Sequence, residues 1–189
     1  MKNMTRYFAL VLGIMLLSAC SNISSSSRSA TPLPEYAYTP VEAHALMLEN
    51  PEVVLIDVRE PGEVRFDGNI ENTQIHVPMM FVDTNNWNDN ASTYAMRMNE
   101  NFLEEMLQEL KNRNVATSQP IMFICRSGIR GRMAAEQLRN AGYSQSYYIL
   151  GGFNGYDPEG YPGWRPSGLP WVTELNRDVA WGGHRRSEP

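Results

Sequence analysis

Short apolar runs separated by polar segments predict strands at regular intervals along this chain. Three runs of four residues are rich in β-branched or aromatic side chains and are bounded by Gly, Pro or polar residues, which is typical of strands buried on both faces. They occupy residues 53–56, 121–124 and 147–150. A shorter run, 75–77, ends at Pro78 and predicts a further short strand.

Three segments between these runs carry the pattern of helices. Residues 39–42 combine a threonine N-cap, a proline at the first helical position and a glutamate at the third, which predicts a short helix through Leu48. Apolar residues recur at helical spacing over 99–113, and small apolar residues do so over 131–141. Alternating strands and helices predict an α/β domain with a mostly parallel sheet covered on both faces.

The remaining segments show no such periodicity. Residues 83–93 are dominated by Asn, Asp, Ser and Thr and predict an exposed loop, and Pro61-Gly62 predicts a break in the chain. Residues 157–189 carry Gly, Pro and Trp without a period. We interpret them as an irregular C-terminal extension lying across the domain.

The first twenty residues predict a targeting segment. Lys2 and Arg6 precede eleven mostly apolar residues, 7–17, a run that has the length of a signal-peptide core. It is too short to span a hydrocarbon layer of about 30 Å. The segment ends in Leu-Ser-Ala-Cys at 17–20, which resembles the lipobox of bacterial lipoproteins. An ordinary secretory signal is the alternative.

The lipoprotein resemblance implies how the N-terminus is processed. Residues 1–19 would be removed as a signal peptide, Cys20 would be lipidated, and the Ser- and Pro-rich segment 20–37 would serve as a tether. Several acyl chains hold far better than one, because each buried methylene contributes about 0.8 kcal/mol. Ser21 rather than Asp follows the cysteine, which implies the outer membrane, facing the periplasm.

Composition narrows the function classes. A chain of 189 residues with 42% hydrophobic and 20% charged residues fits one globular domain with modest attachments. The net charge of -5 argues against nucleic-acid binding. With Cys20 lipidated, Cys125 is the one free thiol, so no intramolecular disulfide forms. His44, His76 and His184 show no metal-ligand spacing, and we expect neither a metal nor an organic cofactor.

The chemistry is predicted to lie in Cys-Arg-Ser-Gly-Ile-Arg, residues 125–130, between a buried strand and a helix. A loop in that position can turn its N–H groups inward as an anion-binding nest, to which the helix adds its positive end. Gly128 permits a positive φ, and Arg126 and Arg130 add two permanent charges. These features favour a thiolate at Cys125. The alternative is a buried structural cysteine.

In combination, the motifs resemble those of the rhodanese family of sulfurtransferases. The loop at 125–130 looks like that family's six-residue active-site loop. Further segments similar to family motifs are Asp57-Val58-Arg59, Gly68-x-Ile70, Ile75-His76-Val77-Pro78, Ala134-Ala135-x-x-Leu138 and Leu150-Gly151-Gly152. The chain departs from the family at Asn69, where histidine is usual, and at Tyr156, where tryptophan is frequent.

The resemblance implies a fold and its extent. It covers residues 38–156, with an insertion at about 79–105, and leaves 157–189 as the extension. The implied architecture is a three-layer α/β fold with a central, mostly parallel five-stranded sheet flanked by helices. Cys125 would lie at the carboxyl end of a strand, where open α/β sheets usually bind ligands.

The resemblance also implies a reaction. Cys125 would take a sulfane sulfur from a small anionic donor such as thiosulfate and pass it from a persulfide to a thiol or cyanide. The residues expected to hold the donor are Arg126, Ser127, Gly128, Ile129 and Arg130. Asp57 and Arg59 either support the loop or form a structural ion pair at a strand end. His76 is interpreted as a structural histidine.

Two other functions remain open from the sequence. The chain could be a non-catalytic binding module or a persulfide relay with an envelope protein as partner. It could also be a cysteine phosphatase, although that class needs a loop one residue longer, with arginine six positions after the cysteine. Here position 131 is glycine and the arginine stands at 130.

Overall fold

The computed structural model describes residues 34–155 and 160–182, which contain seven strands and four helices. The strands are β1 (Ala37–Tyr38), β2 (Val54–Asp57), β3 (Ile75–His76), β4 (Met80–Asn88), β5 (Thr93–Met98), β6 (Ile121–Ile124) and β7 (Ser146–Ile149). The helices are α1 (Pro40–Glu49), α2 (Pro61–Asp67), α3 (Phe102–Asn112) and α4 (Ile129–Asn140). The predicted signal peptide, Cys20, Tyr156 and His184 lie outside the described residues. No helix within the described ranges is long and apolar enough to cross a membrane.

Five strands form one sheet in the order β1-β7-β6-β2-β3, and every neighbouring pair is parallel. This confirms the predicted three-layer α/β fold. The carboxyl ends of β2 and β6 meet at one edge, where Asp57 is in register with Ile124. The two-residue strand β1 was not predicted, because it is too short to show an alternating pattern. It pairs with β7 at the junction of the predicted tether and domain.

The alternation of side chains along β6 directs the residue that follows it. Ile121 and Phe123 point to one face of the sheet, and Met122 and Ile124 to the other. Cys125 continues the first set, so its side chain lies on the face covered by α3 and α4. The cluster on this face includes Phe102, Met106 and Leu110 of α3 and Ala134, Ala135 and Leu138 of α4. The opposite cluster includes Ala43 of α1, Phe153 and Trp164.

The helix signals were correct for three of the four helices. At α1, the Thr39 Oγ1 accepts the Glu42 N–H at 3.3 Å, and the Glu42 carboxylate accepts the Thr39 N–H at 2.9 Å, so the predicted N-terminal cap is confirmed. The predicted helix at 99–113 is α3. Helix α4 begins at Ile129, two residues before the predicted start, so the last two residues of the Cys125 loop form its first turn.

The prediction of a chain break at Pro61-Gly62 is wrong. These residues begin α2, with Pro61 at the first helical position, where its missing N–H costs nothing. The Glu63 carboxylate accepts the Glu60 N–H at 3.0 Å and so satisfies a donor at the helix start. The helix ends at Asp67 and is capped by Gly68, whose φ is 87°. In this chain Pro61-Gly62 therefore marks the start of a helix.

The prediction of a loop at 83–93 is also wrong in its backbone. The segment belongs to the antiparallel hairpin of β4 and β5, with Met80 opposite Met98 and a bulge between Asp83 and Trp87. The segment is exposed, apart from a half-buried Asp83. Its Asn- and Asp-rich composition disfavours strands, and pairing across the hairpin overrides that preference.

Candidate active site

Cys125 lies one residue beyond β6, at the carboxyl edge of the sheet. Its Sγ accepts the backbone N–H of Gly128 at 3.1 Å. Gly128 is the N-cap of α4 and has a φ of 99°, a conformation that favours glycine. The sulfur therefore receives a hydrogen bond from the positive end of a helix, an arrangement that favours a negative charge on it.

The Cys125 side chain is fully buried. It contributes to the apolar cluster that contains Phe123 and Ala134. Burial agrees with the interpretation of Cys125 as a structural cysteine. The hydrogen bond that Sγ accepts from the Gly128 N–H agrees with the functional interpretation. Because no part of Cys125 is exposed, the groups that cover Sγ must move before a donor can reach it.

The carbonyl side of the loop is held by the segment after β7. The Cys125 carbonyl accepts the Phe153 N–H at 2.7 Å, and the Arg126 carbonyl accepts the Asn154 N–H at 2.9 Å. In a trans peptide the C=O and N–H point in opposite directions. The amides of Arg126 and Ser127 therefore point away from Phe153 and Asn154, as an inward-facing nest requires.

Gly152 allows this close approach of two chain segments. A Cβ atom there would lie 2.4 Å from the Cys125 carbonyl oxygen and 2.6 Å from the Ser127 nitrogen. Its φ of 57° is also in the left-handed region. In the sequence, Gly151-Gly152 indicated only the end of a strand and a family motif. A paired glycine directly after a buried strand was the available signal for a tight contact.

The C-terminal extension binds the segment 152–154, which in turn binds the Cys125 loop. The Trp164 N–H donates to the Gly152 carbonyl at 2.7 Å, and the Arg165 N–H donates to the Phe153 carbonyl at 3.0 Å. Trp164 is buried, and its Nε1–H donates to the Pro170 carbonyl at 2.7 Å. The described part of the extension thus stabilises, through backbone contacts, the segment that lies behind Cys125.

Asn69 fastens the extension at a second point. Its backbone pairs with that of Val172 through two bonds of 2.8 Å, and its side-chain Nδ2 donates to the Glu174 carbonyl at 2.8 Å. Where histidine is usual in the family, this chain therefore has Asn69, whose side-chain amide binds the C-terminal extension.

Arg130 forms a bidentate ion pair with Glu63, a partner that no motif in the sequence indicates. Its two terminal nitrogens lie 2.6 and 2.7 Å from the Glu63 carboxylate oxygens. Burial alone would lower the pKa of the Arg130 guanidinium, but the hydrogen bonds and charge of Glu63 raise it overall. The negative charge of Asp57 acts in the same direction. The charge of Arg130 is therefore balanced by Glu63.

Removing the Glu63 charge is expected to loosen the start of α4. Glu63→Gln leaves a largely buried guanidinium without its anion, and we expect a loss of about 1–3 kcal/mol in the free energy of unfolding. Urea unfolding measures the change. Glu136→Gln, an exposed carboxylate on the same helix, is the control and should change stability by less than about 0.5 kcal/mol. Equal effects of the two substitutions would contradict a structural role for the ion pair.

The other predicted donor-binding residues lie around the sulfur at different depths. Arg126 and Ile129 are exposed, Ser127 is half-buried and Gly128 is buried. No three His, Cys, Asp or Glu side chains in the described ranges are placed to hold a metal ion.

Asp57 and Arg59 form a buried ion pair of 2.6 Å at the end of β2. The Arg59 Nη2 also donates to the Gly68 carbonyl at 2.8 Å, and the guanidinium lies 4.3 Å from the centroid of the Phe153 ring. Phe153 is the residue whose N–H holds the Cys125 carbonyl. The pair is therefore structural at the strand end and also packs against the support of the loop.

His76 completes the surroundings of this pair. Its Nε2 lies 2.9 Å from the Arg59 carbonyl, and its Nδ1 accepts the Trp181 N–H at 3.4 Å. Both ring nitrogens thus have backbone partners, which agrees with a structural histidine.

Because of the Asp57 carboxylate, the free energy of unfolding is expected to fall at acidic pH. Burial alone would raise the pKa of Asp57, but the charge and hydrogen bonds of Arg59 lower it below its usual value. A lowered pKa contributes stability that is present above the unfolded value of about 3.9 and is lost as the pH falls through the folded value. Asp57→Asn, which leaves Arg59 unpaired, should cost about 3–5 kcal/mol at neutral pH.

The pH dependence is separated from this loss by a second variant. Asp57→Asn/Arg59→Met removes both charges, and its urea stability should fall less steeply than that of the natural chain below about pH 4. Identical slopes for the two proteins would show that Asp57 does not titrate as described.

Comparison with known proteins agrees with the α/β fold and its parallel five-stranded sheet. The family model of the rhodanese-like domain matches residues 39–159, and this chain belongs to that family. The uncharacterized protein RP600 of Rickettsia prowazekii (strain Madrid E) is 30% identical over 130 residues, which are 69% of this chain and 91% of the relative. Its homologue in Rickettsia rickettsii is 28% identical over 131 residues, again 69% of this chain and 91% of the relative.

A solved structure is also similar. The crystal structure of Rv0390 from M. tuberculosis has a TM-score of 0.52 and 34% sequence identity. The similarity covers 73% of this chain and 97% of that one.

Proposed function

We propose that this protein is a sulfurtransferase that carries a sulfane sulfur on Cys125 between a thiosulfate-like donor and a thiophilic acceptor. The observation that supports this most directly is the hydrogen bond from the Gly128 N–H to the Cys125 Sγ at the start of α4. The amides of Arg126 and Ser127, turned away from the carbonyl contacts, supply further positive dipoles. An ionised sulfur and a bound anion both need such groups.

The first half of the reaction loads the cysteine. The Cys125 thiolate attacks the outer sulfur of thiosulfate, the S–S bond of the donor breaks, and sulfite leaves with the bonding electron pair. Arg126 and the loop amides neutralise the negative charge of the donor and of the leaving sulfite. Arg130 contributes less attraction than its own charge suggests, because Glu63 balances that charge.

The second half of the reaction restores the thiolate. A nucleophile, cyanide or a thiolate, attacks the outer sulfur of the persulfide. The new bond joins that sulfur to the acceptor, and the electron pair of the broken S–S bond returns to Sγ of Cys125. No external oxidant or reductant is needed, because the sulfane sulfur moves between nucleophiles.

The mass of the protein tests this proposal. The full chain in detergent is incubated with thiosulfate, and the intact mass and the peptide that contains Cys125 are measured. We expect the mass of one sulfur atom on Cys125, removed by cyanide with release of thiocyanate. A cysteine whose mass stays unchanged with thiosulfate and with polysulfide would contradict the proposal.

We further propose that the enzyme acts at a membrane surface of the bacterial envelope, anchored through a lipid on Cys20. The lipobox-like residues 17–20 and the Ser-rich segment behind them support this, as does the absence of Asp at position 21. The anchored domain would face the periplasm from the outer membrane.

A further inference from the structure

The most exposed large hydrophobic side chain of the described residues stands beside the active-site loop. Phe66, on α2, is 85% exposed. It lies three residues after Glu63, which binds Arg130, and one residue before Asp67, whose carboxylate accepts the Asn154 side-chain N–H at 2.6 Å. Phe66 is thus within one helical turn, about 5.4 Å along the axis, of two contacts to the loop and its support.

A second exposed apolar side chain belongs to the loop itself. Ile129 is 45% exposed and begins α4, next to Arg130. The Glu63–Arg130 ion pair therefore joins two segments that each present an apolar side chain to solvent. Exposed apolar groups concentrated at one place mark sites of interaction, whereas single ones scattered over a surface do not.

Arginines outnumber carboxylates among the described, exposed side chains close to these two residues in sequence, although the whole chain carries -5. The exposed Arg65 is adjacent to Phe66, the exposed Arg126 lies on the loop, and the exposed Arg132 lies three residues after Ile129. The half-buried Glu63 carboxylate is paired with the cation Arg130, and the half-buried Asp67 carboxylate accepts a hydrogen bond from the neutral Asn154 amide and keeps its charge. Glu136 lies one turn further along α4. We call Phe66, Ile129, Arg65, Arg126 and Arg132 the loop rim.

We propose that the loop rim docks a protein acceptor, presenting a cysteine flanked by acidic and apolar side chains. This rests on the proposed sulfurtransferase function and specifies its acceptor. Cyanide and small thiols have no apolar surface to bury against Phe66. Acidic side chains complement the arginines, which gives orientation and a faster encounter.

The docked cysteine thiolate attacks the outer sulfur of the Cys125 persulfide. A new S–S bond forms on the acceptor, the S–S bond at Cys125 breaks, and its electron pair returns to Sγ. The product is a persulfide on the acceptor protein. A lipid surface or a second copy of this chain on the same rim would instead block the approach to Cys125.

Two synthetic peptides test the inference. Each carries one cysteine and neighbouring leucines; one has glutamates beside the cysteine, and the other has lysines at the same positions. The full chain is loaded with sulfur from thiosulfate or polysulfide, and the loss of the Cys125 persulfide is followed by mass spectrometry. Glutathione persulfide serves as a reference donor without a docking surface.

The glutamate peptide should accept sulfur from Cys125 at least about tenfold faster than the lysine peptide, with an advantage that shrinks as salt is added. Glutamates raise the pKa of a neighbouring thiol and lysines lower it, so intrinsic reactivity favours the lysine peptide. Glutathione persulfide should show that reversed order.

Phe66→Ser should lower the rate with the glutamate peptide about tenfold and leave the rate with cyanide unchanged. Leu48→Ser, which removes an exposed leucine (70%) from α1, should change neither rate. Equal rates with the two peptides, or no effect of Phe66→Ser, would overturn this inference while normal loading left the sulfurtransferase function standing. Failure of loading itself would remove both.

Other occupants of the loop rim give distinct results. If Phe66→Ser converts a dimer into a monomer in sedimentation equilibrium, the rim joins two copies of this chain and the inference is wrong. Loss of binding to phosphatidylglycerol vesicles by a Cys20→Ser/Phe66→Ser chain, relative to Cys20→Ser alone, would assign the rim to the membrane instead.

Discussion

A Cys125→Ser chain is expected to lose thiosulfate:cyanide turnover by at least about 10⁴-fold, the scale at which removal of a nucleophile is felt in covalent catalysis. A serine hydroxyl is not ionised near neutral pH, so the Gly128 amide and the positive end of α4 have no anion to stabilise. The neutral serine hydroxyl cannot accept the sulfane sulfur from thiosulfate, so no persulfide forms at position 125. Thiocyanate production and the mass of the loaded protein are the two measurements.

The fold should survive this substitution. Serine is close to cysteine in size, although a hydroxyl buried in the apolar cluster around Phe123 is expected to cost about 1–3 kcal/mol. Urea unfolding checks that the variant is folded. Cys20→Ser is the matched cysteine control: it should keep full turnover and move the protein from the membrane to the soluble fraction. Turnover retained by Cys125→Ser would exclude a persulfide at this position.

The sheet was predictable because its central strands are buried on both faces. The runs at 53–56 and 121–124 contain no polar residue, and such runs of four fit a parallel sheet far better than a surface strand. The period of two within β6 also fixes the direction of Cys125. Cys125 follows Ile121 and Phe123 at a spacing of two residues. Its sulfur therefore lies on the same side of the sheet as their side chains.

The support of the loop was not predictable in the same way. Glu63 lies 67 residues before Arg130, and nothing local at either position indicates that they meet. Their contact depends on where α2 and α4 lie in the assembled fold, which no local segment of sequence determines. The motif showed two arginines near a cysteine, and only the assembled site shows that Arg130 is paired with Glu63.

The hairpin and α2 show the limits of local composition. Pro, Gly, Asn and Asp are common in loops because they tolerate turns, yet each also has a place in regular structure. Pro61 is used at a helix start, and the Asn-rich stretch is used in a hairpin whose two strands pair with each other alone. At α2 the cap formed by Glu60 and Glu63 decides the backbone, and in the hairpin the pairing of the two strands does so.

The order of contacts behind Cys125 suggests how the site is kept in place. The loop carbonyls bind Phe153 and Asn154, and the carbonyls of Gly152 and Phe153 bind Trp164 and Arg165. Each layer uses backbone groups, so the geometry does not depend on one side chain. What it does depend on is the absence of a Cβ at Gly152, where the two backbones come closest.

Gly152→Ala is therefore expected to damage both stability and activity. The new Cβ would meet the Cys125 carbonyl oxygen at 2.4 Å and the Arg126 carbonyl carbon at 2.6 Å, and both are backbone atoms that cannot rotate away. Overpacking of this kind costs about 1–3 kcal/mol. The left-handed φ of 57° adds about 1–2 kcal/mol for a residue with a side chain.

Activity should fall further than stability alone explains. Relief of the clash pushes the Cys125 loop away from the segment that holds it, and a displacement of about 1 Å at a reacting group can cost about 100-fold in rate. The rate of persulfide formation under single-turnover conditions measures this, and urea unfolding measures the loss of stability on the same preparation.

Gly142→Ala separates the clash from the backbone strain. Gly142 also has a positive φ, 100°, but a Cβ there meets nothing within 4 Å. Gly142→Ala should therefore lose only the stability that backbone strain costs, about 1–2 kcal/mol. It should form the persulfide at the normal rate. If Gly152→Ala and Gly142→Ala behave alike in both measurements, the close approach of Gly152 does not hold the loop. The position of Sγ must then be fixed by the Gly128 amide and α4.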